Sequence, residues 1–276
     1  MDRDHRAARV VFGSGMIGLG ILGLVIGDFA MEWQPVPPSL PGYTVVAYAA
    51  AVLMVACGVG LLFRRTATLA ARVLLPYLVL WVLLKVPALI VATGMEAVWL
   101  GIGEVIVLMT GGWVLFARHA ELREGSPLAF AAGASGLRIA RYLFALALIP
   151  IGLSHVVYVP QTVELIPAWL PARTGWAYLT GAGQIAAGLG VLFSVLPRVA
   201  AAAEASMITI FTLLVWVPRI VAAPTGRLPW TACLISWAIG AGAWAVAGSI
   251  PARRAAEREA EPAPARAAGG VLVDGS

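Results

Sequence analysis

Charge is the scarcest thing in this sequence. Only 12% of its 276 residues are Asp, Glu, Lys or Arg, against about a quarter in an ordinary soluble domain. A chain this poor in charge, 61% hydrophobic and with a mean hydropathy of +0.89, is built for lipid. Lysine is nearly absent: of 19 basic residues all but Lys85 are Arg. The arginines sit between apolar runs and form no stripe, so the basic character reports orientation in a membrane; no nucleic-acid partner is expected. Cysteine is limited to Cys57 and Cys233. They are predicted near opposite membrane faces, too far apart for a disulfide, and without a C-x-x-C there is no thioredoxin-type thiol exchange. No haem ligand pair, flavin fingerprint or cluster-type cysteine set occurs, which excludes a self-sufficient oxidoreductase. A lone intramembrane histidine with no second His or Cys nearby predicts no metal site.

What the sequence does contain is a duplication. Gly58-Val59-Gly60-Leu61-Leu62-Phe63 matches Gly188-Leu189-Gly190-Val191-Leu192-Phe193, 130 residues on. Leu40-Pro41 matches Leu170-Pro171 at the same spacing; Val86-Pro87 matches Val217-Pro218 and Trp99 matches Trp230, one residue further. Upstream of the first loop the spacing is read as about 127, which sets Asp28 opposite His155. The period is too long for a solenoid and fits a duplicated domain.

Eight apolar runs are long enough to span, since a hydrocarbon core of about 30 Å takes roughly 20 helical residues. They are predicted at 10–30, 43–63, 73–93, 98–117, 137–159, 175–196, 199–223 and 229–250. The fold class is therefore an all-α membrane protein of eight transmembrane helices in two parallel four-helix repeats. The first repeat is 1–117, a cytoplasmic linker follows at 118–136, and the second repeat is 137–250. The tail, 251–276, is Ala, Pro, Arg and Glu with few large apolar residues and is expected to be disordered. Arginines cluster at the N-terminus, after the second span, in the linker, after the sixth span and in the tail, while the opposite loops hold only Arg173 and Arg227. The positive-inside rule then places both termini in the cytoplasm. Tryptophans at the other face (Trp33, Trp99, Trp169, Trp176 and Trp230) mark the outer interface.

Six polar residues interrupt the predicted helices: Asp28, Lys85, Glu104, His155, Gln184 and Arg219. A charge at mid-bilayer costs about 2.5 to 3.5 kcal/mol even on the lenient insertion scale. Counting roughly 1.5 Å per residue places all six in the outer half of the membrane. They are the candidate ligand-binding cluster, a polar cavity open to the exterior; no catalytic residue is assigned. Each also has a plainer reading. Asp28 and Arg219 can snorkel to the interface, and Lys85 with Glu104 can be a structural ion pair. His155 can be a hydrogen-bonded structural residue, though its imidazole also suits a quinone-type oxygen. Gln184 can be an interhelical hydrogen-bonding group. Glu204, close to the cytoplasmic end of its predicted helix, reads as snorkelling.

The second repeat carries a G-x-x-H helix end (Gly152 to His155), a loop ending Leu170-Pro171, and a glycine-rich helix from Gly181 to Phe193. In these features the chain resembles the DoxX-like family of small membrane proteins. The first repeat is a looser match, with Met54 in the place of Gln184. The resemblance implies a four-helix bundle per repeat, a multi-pass place in the bacterial inner (plasma) membrane, and lipid as the immediate partner. It also implies a role as a non-catalytic subunit supporting a redox or sulfur- and quinone-linked complex, with a soluble oxidoreductase as partner and quinone as the candidate cofactor. A small-solute carrier and a membrane scaffold or assembly factor are the alternatives.

Overall fold

A computed structural model describes residues 2–120 and 126–251. The predicted tail beyond Pro251 and residues 121–125 of the linker lie outside the described residues. Among those described, all regular structure is helical: α1 (Asp2–Ile26), α2 (Tyr43–Leu62), α3 (Arg64–Val91), α4 (Glu96–His119), α5 (Gly133–Val157), α6 (Val159–Leu165), α7 (Arg173–Leu192), α8 (Pro197–Phe211), α9 (Val217–Ala222) and α10 (Arg227–Ser249). A π-helical turn, Thr212–Trp216, joins α8 to α9. Seven helical stretches are long and apolar enough to cross a membrane: α1 to α5, the α8–α9 unit and α10. Their length and composition make the chain a multi-pass helical membrane protein. α7 is as long as α2 but less apolar, because its glycines, Thr180 and Gln184 dilute it.

Four elements depart from expectation. α3 begins at Arg64 and not at 73, so Arg64, Arg65 and Arg72 lie within its first turns. The first helix stops at Ile26 and does not run on to Ala30. Gly27 takes φ +73° and its N–H bonds the Gly23 carbonyl at 2.8 Å, the left-handed cap that glycine permits without steric cost. Asp28 therefore stands in a loop, outside any helix. The stretch expected as a plain loop, 160–174, begins with the short helix α6. The single helix expected over 199–223 is interrupted by the π turn, which inserts one extra residue into the helical path.

Packing pairs the helices in the same way in both halves. α1 lies along α2 as α5 lies along α7, and α3 meets α4 as α8 meets α10. α4 and α10 cross at the centre and are the most enclosed helices. Their crossing needs Gly111 and Gly242, since a side chain on Gly111 would run into the Gly242 backbone. The register is also shared. A Cβ built on Gly20 would lie 2.6 Å from the Ala51 carbonyl oxygen, and one on Gly152 would lie 2.6 Å from that of Gly181. Phe12 and Phe144 are both fully buried, as are Met16 and Leu148. These matches run 132 residues apart, so the position on α1 that corresponds to His155 is Gly23. The expected pairing of Asp28 with His155 is corrected accordingly. Between α3 and α8 the spacing is 130: a Cβ built on Gly60 would lie 2.9 Å from that of Ala70, and one on Gly190 2.9 Å from that of Ala200. It becomes one longer by Pro87 and Pro218, and the π turn between supplies that residue.

Candidate functional site

The loop after α1 folds back into the bundle and does not project outward. A short helical turn, Met31–Trp33, carries Trp33 and then Gln34 to buried positions. The Trp33 indole N–H donates to Glu104 Oε2 on α4 at 2.8 Å. The Gln34 side-chain amide donates to the Tyr77 hydroxyl on α3 at 2.8 Å, while its oxygen accepts from the Ala30 N–H at 2.9 Å. Lys85 of α3 lies against Gly101 of α4 and within the fields of Glu104 and Glu32. No ion pair closes on it among the described residues.

Asp28 is held nearer the surface. Its Oδ1 accepts from the Tyr43 hydroxyl at 2.6 Å and from the Phe29 N–H at 2.7 Å, and its Oδ2 lies 2.9 Å from Arg227 Nη2. The same Nη2 donates to the Phe29 carbonyl at 2.8 Å, so Arg227 ties this loop to the start of α10. Burial raises the Asp28 carboxyl, but the bonds from Tyr43 and Phe29 and the Arg227 charge outweigh it and hold the group below its ordinary value.

In the second half, His155 Nδ1 lies 2.9 Å from Thr180 Oγ1 on α7, and its ring stacks on Phe211 with centroids 6.3 Å apart and planes at 19°. Arg219 donates through Nη2 to the Glu164 carbonyl of α6 at 3.0 Å and lies over the Trp216 ring at 5.6 Å. Gln184 is buried on α7 and faces Glu204 of α8.

Of the six predicted site residues, then, the structure brings Lys85 and Glu104 together and gives each of the other four different partners. They do not line one chamber. α3, with Lys85, packs on α2 and α4; α7, with Gln184, packs on α5, α6 and α8. Common depth along separate helices left their rotation undetermined, and rotation is what decides convergence. Asp28 is answered by Arg227 at the start of α10, and Arg219 by a carbonyl. Glu204 needs the opposite correction. At 1% exposure it does not snorkel; it points into the bundle. The sequence held a clue, since a spacing of 130 sets Glu204 on Leu74 and Gln184 on Met54, both apolar core positions. Cys57 and Cys233 are free thiols. On the opposite side of the membrane from the loop of Trp33, a groove of about 510 Å³ opens between α1, α8 and α10, walled by Ala7, Ala8, Ala202, Trp237 and Trp244, with Arg198 on its rim.

A family model described as a domain of unknown function (DUF8561) matches residues 144–242, from within α5 into α10. No curated protein and no solved structure matches the chain.

Proposed function

We propose that this chain is a non-catalytic membrane subunit supporting a redox or quinone-linked complex, built from two parallel four-helix units of DoxX-like type. In this reading α7 is the eighth span: its 20 residues reach about 30 Å, and it packs on α5 as α2 does on α1. The units are 1–117 and 137–250, joined by the linker at 118–136. An even number of spans leaves both termini on one side, and the arginine distribution makes that side the cytoplasm. The bacterial inner membrane and a soluble oxidoreductase partner follow from the family resemblance.

The observation that carries the redox reading is the state of His155. Thr180 has one hydroxyl proton, and it points to the carbonyls of Trp176 at 2.9 Å and Ala177 at 3.1 Å. With that proton on a carbonyl, the oxygen accepts from His155 Nδ1–H, and in this tautomer Nε2 is the acceptor nitrogen. A half-buried acceptor beside an aromatic ring suits the hydroxyl of a quinol arriving through the lipid. The other ionisable groups (Asp28 and Glu104 above all) fasten loops to helices and do not mark a path, which counts against a solute carrier. Titration of the purified protein with a quinol is expected to show saturable binding that is lost in His155→Ala. Binding that is absent, or the same in the variant, refutes the redox reading.

A further inference from the structure

α7 and α8 enclose the polar pair Gln184 and Glu204. Gln184 is 3% exposed and Glu204 is 1% exposed. Gln184 Oε1 and both carboxyl oxygens of Glu204 are buried without a hydrogen-bond partner. The two side chains face each other, and the Gln184 amide is the polar group that acts on the Glu204 carboxyl, yet Gln184 Oε1 and the two carboxyl oxygens are left without a partner at hydrogen-bond distance. Other charged or titratable groups on these helices stand apart. Arg173 and Arg227 begin α7 and α10 at their outer ends, Arg198 lies on the rim of the groove, and Cys233 sits near the outer start of α10. On α5, His155 is turned to Thr180, and Arg141 bonds Ser249.

The matched positions of the first half show that the fold does not need polar atoms there. Met54 on α2 and Leu74 on α3 fill the same slot at 2% and 0% exposure. A carboxylate in that slot, with no counter-charge, carries a desolvation penalty that packing does not repay. One proton resolves the arrangement: the carboxylic acid O–H donates to Gln184 Oε1, and two of the three stranded acceptors are satisfied by a single bond.

We propose that Glu204 and Gln184 form a proton-binding site inside the second half of the bundle, one that takes up and releases a single proton between α7 and α8. The site goes beyond the quinone-linked role and does not depend on it; it rests on the membrane-spanning helices and on this pair of side chains.

A hydrophobic carbodiimide, which adds to carboxyl groups in their protonated form within lipid, tests the site on the full chain in native membranes. Peptide mass spectrometry is expected to find Glu204 modified, with the yield rising as pH falls and lost in Glu204→Gln. The double variant Gln184→Met, Glu204→Leu recreates the apolar pair of the first half; it should fold, as judged by elution as a single species in detergent, and should carry no label in this segment. Infrared difference spectra give a second readout, a carboxylic C=O band that disappears in Glu204→Gln and shifts in Gln184→Met. Glu204 unlabelled at every pH in folded protein, or a band indifferent to both substitutions, overturns the proposal. Labelling suppressed by sodium at constant pH would also overturn it, in favour of a metal-cation site. Quinol binding enters neither readout, so this proposal and the redox reading fail separately.

Discussion

The two halves of the bundle share a backbone plan and distribute their polar groups differently. In the first half the slot between α2 and α3 is closed by Met54 and Leu74, and the loop after α1 drives Trp33 and Gln34 onto Glu104 and Tyr77. In the second half the loop is replaced by α6, which buries no residue, and the polar pair Gln184–Glu204 lies within the bundle. The opposite ends of the bundle differ too. Trp113 of α4 donates its indole N–H to the Ala131 carbonyl at 3.0 Å, so the turn before α5 closes that corner. Trp244 of α10, its counterpart, reaches Thr209 at 3.2 Å, and the groove between α1, α8 and α10 stays open. Close helix contacts recur on both sides at Gly20 and Gly152, at Gly58 and Gly188, and at Gly60 and Gly190. Helix packing therefore sets the frame, and the side chains inside it are free to diverge.

The most direct way to break the comparison is to move the carboxyl across. Leu74→Glu places an unpaired acid in a slot with no amide to meet it, and is expected to cost about 3 to 5 kcal/mol; thermal unfolding in detergent measures it, and Met54→Gln in the same chain should recover part of the loss. Gly111→Leu forces α4 and α10 apart at their crossing, for about 3 kcal/mol or more, whereas Gly94→Ala, where a side chain meets open space, should leave the midpoint unchanged. Trp33→Phe keeps the ring but removes the donor to Glu104, a loss of roughly 2 kcal/mol for a bond to a charged or buried acceptor; denaturant titration followed by fluorescence of the remaining tryptophans would show it. Asp28→Asn is the mildest, about 1 kcal/mol or less for a partly exposed pair. Because the folded carboxyl lies below its unfolded value, the contribution of Asp28 is complete above about pH 4 and fades as pH falls through the folded pKa. Stability measured against pH should therefore drop at the acid end in the native chain, and the drop should be shallower in Asp28→Asn.

Much of the frame is legible in the chain. Long uninterrupted apolar runs read as spanning helices without reference to anything else, and Pro76, Pro87 and Pro150 inside α3 and α5 do not break them. The end of α1 was harder. Gly27 looks like one more packing glycine in a glycine-rich run, and only its left-handed conformation shows that it stops the helix. The register of α1 against α5 is legible in the chain: Arg6-Ala-Ala-Arg9 and Arg138-Ile-Ala-Arg141 are 132 residues apart, the spacing that the Gly20 and Gly152 contacts require. For Glu204, distance from a helix end measures depth and says nothing about direction, and direction is what turns it into the bundle. The groove was invisible, since its walls come from three helices distant in sequence.

By itself the sequence determined that this is a helical protein of the membrane, with long apolar runs separated by arginine-marked turns, because transfer of a segment into lipid is summed residue by residue along that segment. Only the tertiary structure decided what each polar side chain meets. A helix carries its residues to a depth by its own rise, but the rotation of the helix and the identity of its neighbour come from packing. Those two choices sent Asp28 to Arg227, Trp33 to Glu104, and Gln184 to Glu204.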